Sequence, residues 1–339
     1  MRTYIHIGLD KCGSSSLQQY FSENGYFKTS QNKLLEYKCL TKNGVLNGNQ
    51  VKELSNKEPC GYLSSLGLKK LEEFNSKKFD DLKFKNDVDN DLIYSCEGWY
   101  RGLKQKKLFS NLLKFLEGSI ERELIFVAFL RAPVLWINSA WWQWGAWENR
   151  NINDFEEWLE KSTLNCCWFR YFSEFQKFQK KYKLVLKPLT NKLIPDLENI
   201  LEINGKYKPP NIVNKSLPIE VLKLYLEYPF FRPNSHENKF DNIFSKLISQ
   251  SNIKPYKTPW ILSNENIKFI LNQTQKSNEE VIKLMELDDQ KYILNDPSWW
   301  DIDYYKKMIK YDPFLKNFEL NNNLLKLFST LLMKNYNQI

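Results

Sequence analysis

The chain has 339 residues, with 49 Lys and Arg against 40 Asp and Glu (formal charge +9), and is 42% hydrophobic and 15% aromatic. That suits a globular protein with a sizeable core. The positive charge is spread without a dense basic block or a nucleic-acid module, so an anionic small molecule is a better-matched partner than nucleic acid. Six cysteines without Cys-x-x-Cys spacing and two histidines, His6 and His236, exclude a disulfide scaffold and a His-rich metal site. The chain enters an apolar run at once, with no charged-then-apolar leader and no bilayer-spanning stretch, so a cytoplasmic location with free thiols is expected.

Thr3 to Gln18, TYIHIGLDKCGSSSLQ, runs a β-like segment into a Gly/Ser-rich turn carrying one lysine, then into a predicted helix over Ser14–Asn24 with Leu17, Tyr20 and Phe21 on one face. A strand-to-helix turn aims backbone N–H groups and the positive end of the helix dipole at one point, where hydroxyls and an ammonium add to them. Lys11, Cys12, Gly13, Ser14, Ser15 and Ser16 are therefore the candidate phosphate cradle. Gly8 and Gly13 are separated by four residues as in a Walker A loop, but Ser14 stands where a nucleotide triphosphatase has its lysine. A nucleotide-phosphate site other than an ordinary ATPase site is implied.

From Tyr26 to Asn90 the pattern gives only a Lys/Glu-rich helical piece around Leu66–Phe74. Asp91–Cys96 reads as a short strand followed by Glu97, and Phe109–Leu116 as a helix. In Glu123–Arg131 the run Ile125–Leu130 suits a strand buried on both faces, and Pro133 suits the first turn of a following helix. Ser139 is eight residues beyond Arg131, about two turns into that helix. Trp136, Trp141, Trp142, Trp144 and Trp147 divide between core and surface, with Trp142 or Trp144 exposed as a stacking platform for a sugar. Asp154–Lys181 reads as helical and Lys183–Lys187 as a strand ended by Pro188. Strand signals fade from Lys206, after which Asn323–Tyr336 forms a basic amphipathic helix that packs on its own domain or docks on a membrane or partner.

Alternating strands and helices predict an α/β fold with a central, mostly parallel sheet flanked by helices and a helical C-terminal region. Residues 1–205 form the core, and 206–339 complete the same domain. Ligands of open α/β sheets sit at the carboxyl ends of the strands, so Arg131 falls on the edge that carries the Lys11 loop. A guanidinium grips phosphate bidentately, and Arg131 with Ser139 is a candidate receiver for a second phosphate. Glu97 follows its strand onto the same edge and is a candidate general base, or else a carboxylate satisfying helix-start N–H groups. His6 is the other candidate base, or a buried structural histidine. Arg101 and Arg170 read as acceptor-recognising or as ordinary ion-pair residues.

The pair LDKCGSSSLQ and FLRAPVLWINSAWWQ resembles the motifs of sulfotransferases that use 3′-phosphoadenosine 5′-phosphosulfate (PAPS), particularly the bacterial glycan and lipopolysaccharide type. IYSCEGWY (Ile93–Tyr100), NIVNKSLPIEVLKLY (Asn211–Tyr225) and the segment around Ser277–Met285 are similar to further elements of those proteins, in the same order. The resemblance implies a P-loop-like sulfotransferase fold and sulfuryl transfer from PAPS to a hydroxyl of a glycan or glycolipid, with PAP as product and no metal. By resemblance Lys11 acts on the oxygen bridging phosphate and sulfate, and Ser14, Ser15 and Ser16 hold the 5′-phosphate. Arg131 and Ser139 hold the 3′-phosphate, and Ser139 also restrains the lysine. Asp10 stands where the family's loop has proline. Two other readings compete: a P-loop-like kinase or nucleotidase, from the Gly8 to Gly13 spacing, and a non-catalytic glycan- or nucleotide-binding protein. The acceptor and the oligomeric state are not legible.

Overall fold

The computed structural model describes residues 1–58, 61–68, 89–102, 110, 112–113, 115–116, 121–148, 155–173, 175, 182–210, 217–235, 237, 240–241, 243–244 and 258–319. The predicted helix at Asn323–Tyr336, most of the Leu66–Phe74 helix, part of the Phe109–Leu116 helix and His236 lie outside them. The chain forms two compact units. The first gathers Met1–Arg131, Trp168–Val213 and Lys276–Asn295; the second gathers Ala132–Cys167, Asn214–Gln275 and Asp296–Ile339. Both draw on residues from either side of position 205.

The first unit holds a mixed seven-stranded sheet: β1 (Arg2–Gly8), β2 (Tyr26–Lys28), β3 (Leu34–Thr41), β4 (Gly44–Leu46), β5 (Asp91–Glu97), β6 (Glu123–Leu130) and β7 (Lys183–Pro188). Its order is β2-β3-β5-β1-β6-β7, with β4 paired to β3. The strands β3, β5, β1, β6 and β7 run parallel, while β2 and β4 pair antiparallel to β3. The apolar run of β6 is buried from Leu124 to Leu130, as a parallel strand covered on both faces requires. Helix α1 (Ser14–Asn24) buries Leu17, Tyr20 and Phe21 as its periodicity predicts. The Phe21 ring lies 5.1 Å from that of Tyr37 on β3, and the Tyr20 ring 5.3 Å from that of Phe27 on β2.

Strands β2 to β4 were not expected from the sequence. The cause is visible in β3, LLEYKCLT, which buries two charged residues, Glu36 and Lys38, and so lacks the apolar signature of an inner strand. Their ionised ends lie 3.9 Å apart. A Glu36 carboxylate oxygen also accepts from the backbone N–H of Gly48 at 3.2 Å and from the Tyr26 hydroxyl at 3.3 Å. Gly48 opens α2 (Gly48–Ser55), which is held by a reciprocal Asn47–Gln50 capping box. Burial of these charges is sustained by partners from three separate segments. A four-residue turn of helix, α3 (Trp99–Gly102), follows β5.

In the second unit Pro133 occupies the first turn of α4 (Pro133–Ala140), where its missing N–H costs nothing. A π-helical turn, Trp141–Gly145, follows. The sequence placed Trp142 or Trp144 at the surface as a sugar platform; Trp142 is instead buried. Its indole N–H donates to the carbonyl of Pro259 at 2.9 Å, so the ring's polar edge is satisfied inside the unit. Trp141 is buried too, with edge-on rings of Phe155 and Trp158 at 5.0 Å and an indole bond to the Pro313 carbonyl at 2.9 Å. Trp136 and Trp147 are also core residues, whereas Trp144 is half-exposed.

The single helix predicted for Asp154–Lys181 is interrupted. Helix α5 (Phe155–Thr163) passes into a 3₁₀ turn, Leu164–Cys166, and the backbone leaves helical geometry at Cys167 (φ −74°, ψ 80°) before the short α6 (Phe169–Phe172). The Thr163 hydroxyl bonds back to the Leu159 carbonyl at 2.8 Å, and the Cys166 thiol to the Thr163 carbonyl at 3.2 Å; both compete with continuation of the helix. Helices α7 (Leu193–Ile200), α8 (Ile219–Glu227), α9 (Asn264–Ile282) and α10 (Leu287–Asn295) complete the longer elements, and beyond residue 206 the described residues are helices, turns and one isolated bridge between Trp260 and Lys310. Among the described residues no helix is long and apolar enough to cross a membrane.

Candidate functional site

The carboxyl ends of three adjacent strands, β5, β1 and β6, converge on the loop between β1 and α1. That loop is a tight turn in which the N–H of Cys12 donates to the Leu9 carbonyl at 3.2 Å, and the Ser14 hydroxyl donates to the same oxygen at 3.1 Å. Lys11 (φ 59°) and Gly13 (φ 86°) both adopt left-handed backbone. For a lysine this conformation costs roughly 1–3 kcal/mol, a strain that accumulates at functional sites. Gly13 serves as the N-cap of α1 and has no side chain to close the helix end; the first intrahelical bond is from Leu17 N–H to the Gly13 carbonyl at 3.2 Å. The amides at the start of α1 therefore form an end open to an anion.

Gly8 allows this turn to lie against β5. A Cβ there would stand 2.5 Å from Ser14 Oγ and 3.2 Å from Glu97 Cα. Gly8→Ala is accordingly expected to destabilise the fold by about 1–3 kcal/mol through overpacking. Chemical denaturation would read this as a lowered midpoint at unchanged slope.

Glu97 ends β5 in register with Gly8, and the next residue's N–H donates to the Gly8 carbonyl at 3.0 Å. Its side chain is half-buried. Burial first, then the charge of the neighbouring Asp10 and hydrogen bonding with it, raise the Glu97 pKa to about 8, against the opposing pull of Lys11 and Arg101. Asp10 is itself buried. One of its oxygens accepts from the Tyr100 hydroxyl at 2.7 Å and pairs with the Arg101 guanidinium, whose Nε donates back to the Tyr100 oxygen at 2.9 Å. The acid standing in the loop is thus matched by a cation from α3. Sequence reasoning did not find this cluster; the available signal was Tyr100-Arg101 placed just past the strand that borders the loop.

Arg131 follows β6, and its guanidinium Nη1 donates to the Lys11 carbonyl at 3.3 Å, which places the second cation against the first loop. Its own carbonyl accepts from the Trp168 indole at 3.0 Å, fixing the chain where it leaves the strand. Ser15 and Ser16 are half-exposed on the first turn of α1, with the Tyr62 hydroxyl 3.4 Å from Ser15 Oγ. Ser14 differs from expectation. Its one hydroxyl hydrogen is committed to Leu9, which leaves its backbone N–H as its donor to a ligand. Cys12 is buried and its thiol is pushed up to about 12 by burial, so it acts as a small core residue rather than a reactive group. His6 is buried in mid-strand with Nδ1 2.8 Å from Ser95 Oγ, and burial lowers its pKa to about 3. Ser139 is half-exposed on α4 in the second unit. Arg170 lies with its guanidinium 5.1 Å from the Tyr171 ring centroid.

Among the described residues no group of three or more His, Cys, Asp or Glu is placed to hold a metal ion, and Cys12, Cys39, Cys96, Cys166 and Cys167 are free thiols. Comparison with known proteins finds no matching family model, no similar curated protein and no similar solved structure.

Proposed function

We propose that the chain is a PAPS-dependent sulfotransferase with a P-loop-like fold, which moves a sulfuryl group to a hydroxyl of a glycan or glycolipid. One observation carries the reading: a lysine loop with an open helix end, the Glu97 carboxyl and an arginine stand at the ends of three adjacent parallel strands, the arginine bonded to the lysine's own carbonyl. Two cations and helix-start amides suit a ligand with two phosphoryl groups, and a basic carboxyl beside them suits deprotonation of a hydroxyl. Pairing with Arg101 offsets the negative charge of Asp10, which would otherwise oppose an anion in the loop.

In this reading the amides of Ser14 to Ser16 and the Ser15 and Ser16 hydroxyls hold the 5′-phosphate, and Arg131 engages the 3′-phosphate. Glu97, in its ionised form, takes the proton of the acceptor hydroxyl as that oxygen attacks sulfur. The bond from sulfur to the bridging oxygen breaks, and Lys11 stabilises the charge that develops on the leaving phosphate. The sulfated acceptor and PAP leave, with the proton on Glu97 returned to water. Glu97 is preferred to His6 as base because it stands at the strand end beside the loop, whereas the His6 ring is enclosed in mid-strand and bonded to Ser95.

The test is thermal unfolding with PAP, set beside ATP with Mg²⁺. At about a hundred times its dissociation constant a ligand adds roughly 2.7 kcal/mol, a rise of several degrees in the midpoint for a chain of this size. Stabilisation by PAP, lost in Arg131→Ala, is the expected result, followed by PAPS-dependent sulfation in an acceptor panel. Stabilisation by ATP with Mg²⁺ alone would assign the loop to a kinase or nucleotidase instead.

A further inference from the structure

Resting on the proposed function, we infer that Arg101 and Arg170 form an anion-binding subsite beside the Lys11 loop, which selects an acceptor sugar carrying a carboxylate or a phosphate near the hydroxyl to be sulfated. Two short helical turns fix the pair at the sheet edge. Turn α3 follows β5 directly: the Gly98 N–H donates to the Gly8 carbonyl at 3.0 Å, and the Arg101 N–H to the Gly98 carbonyl at 3.1 Å. Turn α6 is fixed to the end of β6, because Trp168 just ahead of it donates its indole N–H to the Arg131 carbonyl at 3.0 Å, and the Phe169 N–H donates to the Ser277 hydroxyl at 3.0 Å. Each turn carries one exposed arginine. Between them stand two buried tyrosines, Tyr100 and Tyr171, edge-on with ring centroids 4.8 Å apart. The Arg101 guanidinium lies 5.5 Å from the Tyr100 ring centroid, and that of Arg170 lies 5.1 Å from the Tyr171 ring centroid. Arg101, Tyr100, Tyr171 and Arg170 therefore form one continuous row from the end of β5 to the end of β6.

Arg101 has donors to spare beyond its pairing with Asp10. Its Nε bonds to the Tyr100 oxygen at 2.9 Å and its Nη2 pairs with Asp10, while Nη1 has no partner among the described residues and the side chain is 66% exposed. The two contacts hold the guanidinium plane before a ligand arrives, so little rotamer freedom is lost on binding. The remaining N–H groups, in a planar fork, match the oxygens of a carboxylate or a phosphate. Arg101 stands four residues beyond Glu97, on the turn that continues its strand, so an acceptor whose hydroxyl reaches Glu97 comes up against α3. An acidic group on that acceptor meets the carboxyls of Glu97 and Asp10 and the anionic donor, and needs cations to offset them. The donor does not require this pair, since Lys11, Arg131 and the amides of α1 are assigned to its phosphates. A neutral sugar would leave both arginines without a role.

The experiment measures sulfation from PAPS of three matched disaccharides, a neutral one, its uronic-acid counterpart and its sugar-phosphate counterpart, at low and at physiological salt. The better acidic acceptor should exceed the neutral one by about tenfold in kcat/KM, and which of the two it is tells carboxylate from phosphate. The acidic-to-neutral ratio should fall at the higher salt. It should collapse toward one in Arg101→Gln, fall severalfold in Arg170→Gln, and survive in part in Arg101→Lys, which keeps the charge without the fork. Arg101→Gln also removes the pair with Asp10, so Arg170→Gln is the variant that keeps that pair. Acidic acceptors no better than the neutral one, or a preference that neither glutamine variant moves, overturns the inference. Loss of stabilisation by PAP in both glutamine variants also overturns it, by placing the arginines on the donor. If no acceptor is sulfated, calorimetry of the same disaccharides with the PAP-bound protein decides separately. Arginine-dependent binding of an acidic disaccharide then keeps the subsite while the sulfotransferase reading falls, and the lack of such binding overturns the subsite.

Discussion

Replacing Lys11 with alanine is expected to lower kcat for sulfuryl transfer by about 100- to 1,000-fold, the usual cost of removing a preorganised group that stabilises charge appearing only in the transition state. In the proposed reaction the weight of that ammonium would follow from the loop. Lys11 is held in left-handed backbone by the turn that Cys12 N–H and Ser14 Oγ close onto Leu9, so its side chain leaves the loop in a direction fixed by the fold. Stabilisation by PAP should survive to within about tenfold in affinity, since Arg131 and the amides of α1 remain. Glycine at the same position should also lose the rate. It should nevertheless be more stable than the alanine variant by about 1 kcal/mol, because glycine adopts this backbone without strain. Single-turnover rates with PAPS, paired with denaturation midpoints for the two variants, would check both halves. An alanine variant with undiminished kcat would remove Lys11 from the chemistry.

The elements that carry this site were legible because each is an apolar run closed by a turn signal. β1, β5, β6 and β7 fall within a few residues of the segments expected, and α1 buries the face its periodicity marks. Lys11, Glu97 and Arg131 were found together because parallel strands deliver their carboxyl ends to one edge. What the sequence hid are features whose satisfaction depends on residues far along the chain. Strand β3 contains Glu36 and Lys38, and nothing local announces that Gly48 N–H and the Tyr26 hydroxyl will receive the carboxylate. Trp142 reads as a surface ring until a carbonyl 117 residues away accepts its N–H. Asp10 stands where the resembled loop has proline, and nothing local announces that a guanidinium 91 residues later pairs with it. Ser14 was legible as a hydroxyl near the cradle, but the direction of its single hydrogen is decided by the closure of the turn.

Glu97→Gln is expected to reduce kcat by about 100- to 10,000-fold, the range for loss of a general base, and at the same time to make the protein more resistant to unfolding at alkaline pH. The second effect follows from the sign of the pKa shift. In the folded chain Glu97 holds its proton up to about pH 8, whereas in the unfolded chain it releases it near the ordinary carboxylate value of 4.5. Between those values the folded state binds more protons than the unfolded one, so stability falls as pH rises through the window and changes no further from this group above it. Glutamine has no proton to lose, so the penalty disappears. The midpoint difference between variant and parent should therefore be small at pH 5, grow in the variant's favour toward pH 8, and level off beyond. A residue that served only to satisfy α3 or the loop would behave otherwise, losing stability without this pH signature when replaced. Loss of rate with gain of stability is the mark of a carboxyl held in an unfavourable environment because its reactivity depends on it.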